Sequence, residues 1–458
     1  MENEEREVVP PSTYRETLRY LYSFVDYEKQ AGGGSVRLGL EPIQGLLRGL
    51  GRPERGWPSV HIAGTKGKGS TAALIASIAR HSGYRVGLYT SPHLITFRER
   101  IVVDGTPISK EETCRLVDRL RPVVDEVTRG SASPPTFFDV WTALAFLYFA
   151  ERRVDLAVVE VGLGGRLDST NVVTPLVSVI TPLGLDHTDR LGTTLRAIAG
   201  EKAGIIKEGV PTVTSPQEPD ALTVIRDTCR ARRSPLRQVG REIQFTVHRS
   251  DSTGQAFDVS GRRGRYPNLE TRLLGAYQVV NAATAIGAVE ELNERGMEMP
   301  LRGVEEGLRT VEWPGRLQVA QERPWLILDG AHNVLSARTL VQEVRRLFPY
   351  RRAILVVSVS RDKDVPGVCA ELAVLADVVI VTGRRVVRTR QADPDEVAGW
   401  FRVAGKDVSV APDVLSALEL ARALASPDDL ICITGSFYLV GEVMEGLQHL
   451  EPEEMWSR

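Results

Sequence analysis

The run Gly64-Thr65-Lys66-Gly67-Lys68-Gly69-Ser70 sets three glycines, two lysines and two hydroxyls between an apolar run and the helix-like TAALIASIARHSG. That order builds a phosphate cradle. Backbone N–H groups of a glycine turn converge with the positive end of a helix dipole. Lys66 and Lys68 add cations, and the Ser70 or Thr71 hydroxyl can reach a phosphate or a metal ion. The spacing departs from GxxxxGK[ST], because Gly69 stands between Lys68 and Ser70. A nucleotide is the expected ligand; the alternative is a flexible turn bearing two solvated lysines.

Further along, Glu160 ends the apolar run LAVV, the place on a P-loop sheet where an acidic residue meets Mg²⁺ directly or through water. The bland reading is a strand-end charge facing solvent. LDHTDRLG puts Asp186, His187 and Asp189 in a loop after another apolar strand, where they could converge with Glu160. Asn281 interrupts GAYQVVNAATAIGAVEEL, which reads as an amphipathic helix, and a buried amide there needs partners. These would come from a ligand or from helix packing. WLILDGAHN is again a strand running into a polar loop, Asp329 to Asn333, and SRDKD and TGSFY follow later strands in the same way.

The elements that must position these groups alternate between strand and helix. Thr13 and Glu16 form a capping-box pattern opening a helix over YRETLRYLYSFVDYEK that GGGS (32–35) ends. YRVGLYT reads as a strand with SPHL turning at its carboxyl end, Asp104-Gly105 as a hairpin turn, and Ser109 with Glu112 as a helix start running through Arg129. Strands over 155–162 and 176–184 follow, then a helical TTLRAIAGEKAGIIKEG, then a polar, strand-like stretch over 241–272 that reads as a peripheral hairpin. After EWPGR a new βα series begins: WLILDGA, RAILVVSVS, DVVIVTG and DLICITG. The expected fold is α/β. A P-loop-containing, mostly parallel sheet forms an N-terminal domain (1–313), and a smaller Rossmann-like α/β domain (314–458) follows. Polar loops at strand carboxyl ends in both predict a cleft between them.

Composition narrows the partners. With 57 basic and 59 acidic residues the net charge is −2, which gives no electrostatic case for nucleic acid. Cys114, Cys229, Cys369 and Cys432 are far apart with no CxxC, the usage of a reduced, cytoplasmic protein. The acidic start MENEEREVVPPS reads as a frayed end rather than a signal peptide, and the longest apolar run, Val140 to Ala150, reads as a buried helix rather than a membrane span.

Taken in order, GTKGKGS, TSPHL, EVGLGGRLDSTN, LDHTDRLG, EKAGI, YQVVNAATA, WPGR, DGAHN, DKD and TGSFY resemble the folylpolyglutamate synthase and dihydrofolate synthase branch of the Mur ligases, over roughly residues 35 to 445. The resemblance implies ATP-dependent joining of L-glutamate to a pteroate or folate carboxylate through an acyl phosphate. It implies that Gly64, Thr65, Lys66, Gly67, Lys68, Gly69 and Ser70 hold ATP phosphates, and that Asn281, Arg316 and Asp329 bind the nucleotide. Ser91, Glu160 and His187 match magnesium contacts, and Lys202 in EKAGI matches a carbamylated lysine that would also face the metal. His332 and Ser436 match the side where glutamate arrives, with Lys68, Lys202 and His332 taken as catalytic. Phe138 and Asp139 in TFFDV, with Arg166 and Asp168 in GGRLD, match substrate positions, and Ser436 is counted with them. GGRLD resembles the bifunctional bacterial form, which acts on dihydropteroate and reduced folates; the expected protein is a monomer using ATP and Mg²⁺, with neither nucleic acid nor membrane as partner. Three alternatives remain at this point: a folylpolyglutamate synthase alone, a peptidoglycan-type amino-acid ligase, or a nucleotide-switch ATPase.

Overall fold

The computed structural model describes residues 12–24, 39–130, 133–385 and 391–450, together with Glu453. Eight strands build the first sheet: β1 (Ser59–Ala63), β2 (Val86–Tyr89), β3 (Ile101–Val103), β4 (Thr106–Pro107), β5 (Leu156–Glu160), β6 (Val177–Ile180), β7 (Thr212–Thr214) and β8 (Leu236–Gln238). Their order is β4-β3-β2-β5-β1-β6-β7-β8. The β2-β3-β4 corner is antiparallel and the remaining pairings are parallel. The chain leaves β1 for one side of the sheet and later returns to fill the other, so the carboxyl ends of β5, β1 and β6 surround a switch point. Ligands of open α/β sheets bind at such a point.

Both sheet faces are covered, so β1, β5, β6 and β7 are buried at every position, their few polar side chains included. Val60, Ile62, Val158 and Val177 pack beneath the Lys68–His81 helix, while Ala157 and Val159 pack against the Phe137–Glu151 helix on the other face. The latter carries the Val140–Ala150 run in its interior, as expected of a buried helix. No helix among the described residues is long and apolar enough to cross a membrane. All four cysteines are buried thiols.

Three expectations need correction. The stretch after residue 241 is a three-stranded antiparallel sheet of β9 (Gln244–Asp251), β10 (Gly254–Ser260) and β11 (Arg265–Thr271), not a peripheral hairpin. Its Phe257, Val259 and Leu269 are fully buried in the main core, and the solvated opposite face gives the segment its polar look. The Ala276–Asn293 helix is not amphipathic: it lies between the Lys68–His81 helix and β9, β10, β6 and β7, buried on nearly every side. Its alanines and Gly287 permit that approach, since a Cβ on Gly287 would sit 2.4 Å from Ile243. The helix after Thr194 spans only Leu195–Ala203. It stops at Gly204, where a Cβ would sit 2.4 Å from the Arg166 side chain. The first helix spans Tyr14–Tyr22 with the Thr13–Glu16 capping box formed; its expected continuation past Phe24, the GGGS stop and the acidic start lie outside the described residues.

The second sheet comprises β12 (Gln318–Glu322), β13 (Trp325–Leu328), β14 (Ala353–Val357), β15 (Val378–Thr382), β16 (Asp407–Ala411) and β17 (Leu430–Thr434). The order is β12-β13-β17-β14-β15-β16, parallel except for β12 with β13. Alternate residues again feed two cores: Ile327, Leu355, Val379 and Cys432 on one face, Leu326, Ile354, Ile380 and Ile431 on the other. The two halves also meet through Leu94, Ile95 and Glu453. Leu94 and Ile95 pack into the second of those cores, and the Leu94 carbonyl lies so close to Gly441 that a Cβ there would come within 2.1 Å of it. Glu453 accepts from Thr96 Oγ1 at 2.8 Å and from the Phe97 amide at 3.3 Å.

Candidate phosphate and ligation site

The glycine turn follows β1 and opens the Lys68–His81 helix, with Gly67 in the left-handed region at φ 81° as its N-cap. Packing as well as conformation requires glycine: a Cβ on Gly64 would sit 1.8 Å from Thr181 Oγ1, on Gly67 2.4 Å from Asn281 Oδ1, and on Gly69 2.6 Å from the Trp313 ring. The turn is stitched to the segment after β6. The Thr65 and Lys66 amides donate to the Pro182 carbonyl at 3.1 and 3.2 Å, and Thr65 Oγ1 donates to the Gly184 carbonyl. Thr71 Oγ1 and Gln278 Nε2 are buried with no protein hydrogen-bond partner.

Charged groups converge on this turn. Lys68 Nζ lies 3.7 Å from Glu160 Oε1, and Oε2 of the same carboxylate accepts the Ser91 amide at 3.1 Å. Glu160 is buried. Lys202 is also buried and donates to the Gly64 carbonyl at 2.9 Å. Desolvation, with Lys68 close by, pulls its amine down to about 7. Lys66 pairs with Asp186 at 3.3 Å. His187 takes the left-handed conformation at the head of a short Thr188–Leu191 turn. Its side chain is 48% exposed, and desolvation, partly offset by Asp186, moves its imidazole down, so it is neutral at physiological pH. The residues expected to hold phosphate, Ser91, Glu160 and Lys202 thus share one neighbourhood.

The residues matched to substrate divide differently. Phe138 lies under the glycine loop after β5, where a Cβ on Gly162 would meet its ring at 2.5 Å. Asp139 turns inward: it closes the Thr136 capping box and accepts from Ser169 Oγ at 2.7 Å. Asp168 accepts from the Leu163 amide at 2.8 Å and the Thr170 amide at 3.0 Å, and burial raises its carboxyl to about 6. Arg166 is exposed and forks onto Glu201 Oε1 at 2.8 and 3.1 Å. Asp139 and Asp168 therefore organise the loop whose outer face carries Arg166.

On the opposite side, Asn281 is buried against Gly67 and donates to Gln278. Asp329 accepts the Leu317 amide at 2.7 Å and the Ala331 amide at 2.8 Å, bracing the turn that carries Arg316, whose guanidinium lies over the Phe437 ring at 4.3 Å. Burial raises the Asp329 carboxyl, and Arg316 opposes that rise. His332 engages the Gly330 carbonyl through Nδ1 at 2.8 Å. Desolvation, reinforced by Lys66, holds it near 3, so the neutral ring donates from Nδ1 and leaves Nε2 as the acceptor. Ser436 caps the Phe437–Gln448 helix and receives the buried Arg384 guanidinium. Sequence reading missed Arg384, whose signal was only a basic pair following the β15 strand. It also missed Asn333, which looked like one more polar member of DGAHN but reaches Asp186 at 3.1 Å.

Among the described residues no three His, Cys, Asp or Glu side chains gather closely enough to hold a metal alone. The Glu160 carboxylate and the nearby serine hydroxyls are nevertheless hard oxygen donors of the kind Mg²⁺ accepts alongside substrate phosphates and water. The site fits a metal that arrives with a nucleotide.

Comparison with known proteins agrees with this geometry. Residues 62–289 match the Mur ligase middle domain and residues 315–437 the Mur ligase glutamate ligase domain. The dihydrofolate synthase/folylpolyglutamate synthase of Bacillus subtilis is 37% identical over 90% of this chain and 96% of its own length. The Escherichia coli protein of the same name is 32% identical over 93% and 95%. A Mycobacterium tuberculosis folylpolyglutamate synthase complexed with ADP superposes with a TM-score of 0.87, at 32% identity over 96% of this chain and 99% of that one. The chain belongs to the folylpolyglutamate synthase/dihydrofolate synthase family of the Mur ligases and is an ATP-dependent ligase of glutamate to folates.

Proposed function

We propose that the chain adds L-glutamate to dihydropteroate as well as to reduced folates and their polyglutamates, each through an acyl phosphate. The observation that carries the reading is the Lys68–Glu160 pair at the glycine turn, with buried Lys202 beside it. The names of the Bacillus subtilis and Escherichia coli relatives pair both synthase activities, and that supports the dihydropteroate half of the proposal.

A carboxylate is a poor electrophile and repels ATP. In this reading the 64–70 turn and Lys68 hold the phosphates while the folate carboxylate oxygen attacks the γ-phosphorus and ADP leaves. Glutamate nitrogen then attacks the acyl carbon and inorganic phosphate departs. The incoming amine donates an N–H to Nε2 of the neutral His332, which orients it, and the proton released on attack leaves with the phosphate; Ser436 orients glutamate. Asn281, Arg316 and Asp329 serve the nucleotide, Asp329 by bracing the Arg316 turn. Phe138, at the start of the Phe137–Glu151 helix, and Arg166, on the loop that Asp139 and Asp168 hold, contact the pterin-bearing substrate.

Ser91, Glu160 and His187 would hold Mg²⁺, which when bound offsets triphosphate charge. Lys202 would join them as a carbamate: its ammonium first loses a proton, and the neutral amine then adds CO₂ and releases a second proton to become an anion. The division between the two domains is taken at residue 313/314, and the active unit as a monomer. The test is product mass after incubation with ATP and glutamate. A glutamyl increment on both dihydropteroate and tetrahydrofolate is expected; an increment on tetrahydrofolate alone reduces the protein to a folylpolyglutamate synthase.

A further inference from the structure

One carboxylate oxygen on the first domain serves donors from both domains. Asp186 Oδ2 accepts Lys66 Nζ at 3.3 Å, from the glycine turn, and Asn333 Nδ2 at 3.1 Å, from the start of the Val334–Leu347 helix. The Asn333 amide has no freedom to turn away, because its Oδ1 caps that helix by accepting the Ser336 amide at 3.0 Å. Nδ2 must therefore point across the cleft. Asp186 is held from its own side as well: its Oδ1 accepts the His187 amide at 3.1 Å, and the 182–184 segment just before it is bonded to Thr65 and Lys66. Leu335, next but one to Asn333, approaches Gly184 from the second domain.

We infer that Asp186 is a positioning residue that couples the phosphate turn to the placement of the second domain. Lys66 has one ammonium group, and a triphosphate in the turn competes with Asp186 for it. When the phosphate takes Lys66, Asp186 Oδ2 keeps Asn333 as its donor. When Asn333 withdraws, Asp186 Oδ2 is left to Lys66, and the lysine is held away from the phosphate. Nucleotide affinity thereby depends on a side chain of the other domain, and the dependence runs through one carboxylate. By reciprocity, bound nucleotide biases the second domain toward the position that serves glutamate.

The inference rests on reading residues 64–70 as the phosphate turn, and the experiment separates the two. Binding of AMPPCP, an unreactive ATP analogue, is measured by calorimetry on the full chain without folate or glutamate. Lys68→Ala tests the turn itself: affinity equal to wild type removes the phosphate reading, and the coupling with it. With that reading standing, Lys66→Met, Asn333→Ser and their combination are compared. Serine keeps a helix-capping hydroxyl but is too short to reach Asp186.

Each single variant is expected to weaken AMPPCP binding. The pair should be non-additive by at least about fivefold, at the low end of typical coupling between sites, and the non-additivity should vanish in an Asp186→Asn background. Asn333→Asp keeps the cap and sets like charges face to face; it should weaken binding more than serine does, and it stands in if the serine variant fails to fold. Additive effects of Lys66→Met and Asn333→Ser, coupling that survives Asp186→Asn, or unchanged affinity in both Asn333 variants would overturn the inference.

Discussion

The carboxyl edges of the two sheets carry similar numbers of polar side chains but use them in opposite ways. On the first sheet, charges face one another, Lys68 with Glu160 and Lys66 with Asp186, and the buried Lys202 beside them donates to the Gly64 carbonyl. On the second, Asp329, His332 and Arg384 face the backbone or a hydroxyl, while Lys363 pairs with Asp362 and Arg385 with Glu445 in the loops after β14 and β15. Asp329 accepts two amides, His332 engages a carbonyl, and Arg384 donates to Ser436. The first edge can exchange partners with an incoming charged ligand, whereas the second fixes the shape of its loops. Removing a charge from the first should cost turnover with little loss of stability, and removing one from the second should cost stability as well.

The largest effect expected is that of Lys68→Ala, with kcat lower by roughly 10²–10³-fold, as for loss of a donor that stabilises developing charge. Circular dichroism should remain native. A folded variant with normal turnover would dissolve the contrast between the edges.

Lys202→Ala is expected next, with a loss of roughly 10–100-fold, the range for groups that support a metal site. Its amine, lowered to about 7, is mostly ammonium at pH 6 and mostly free amine at pH 8. Only the amine adds CO₂, so bicarbonate-stimulated activity should rise with pH across that interval. The alanine variant should lose the bicarbonate response and regain part of its activity with a short carboxylate. Full activity of that variant in CO₂-free buffer argues against the carbamate.

Glu160→Gln keeps size and removes the charge that Mg²⁺ prefers. Its half-saturating magnesium concentration should increase about tenfold, in line with loss of a group that supports a metal; an unchanged titration would leave Glu160 as a partner of Lys68 only.

The smallest effect on turnover and the largest on stability is expected at the second edge. Asp329→Ala orphans the Leu317 and Ala331 amides at a cost of about 1–3 kcal/mol each. In a unit of this size that lowers the melting temperature by a few degrees for each kcal/mol lost. A variant that melts like wild type but loses nucleotide binding would make Asp329 a direct ligand instead of a brace.

Much of this arrangement was legible because it rests on local chemistry. A glycine turn between strand and helix, apolar strands buried on both faces, and the two βα series after Pro58 and Pro314 follow from spacing that the tertiary structure does not override. The carboxylates were harder. TFFD is also a capping box and DST also an Asx-type helix start, so Asp139 and Asp168 had backbone tasks readable from spacing, although family likeness drew them toward the substrate. The Ala276–Asn293 helix shows the opposite limit. It reads as amphipathic in the sequence, and only the β9–β11 sheet folding over it makes its polar face interior. The Asp186–Asn333 contact joins residues 147 positions apart, and no local pattern marks such a pair.

The central claim, that ligation proceeds by phosphorylating the acceptor carboxylate at the Lys68–Glu160 edge, is tested most directly with dihydropteroate carrying ¹⁸O in both carboxylate oxygens. Attack of that carboxylate on ATP, followed by glutamate, must move one labelled oxygen into the phosphate released. The account predicts one ¹⁸O per phosphate in the mass spectrum, formed only when glutamyl product is formed. Phosphate free of label beside normal glutamyl product would contradict it.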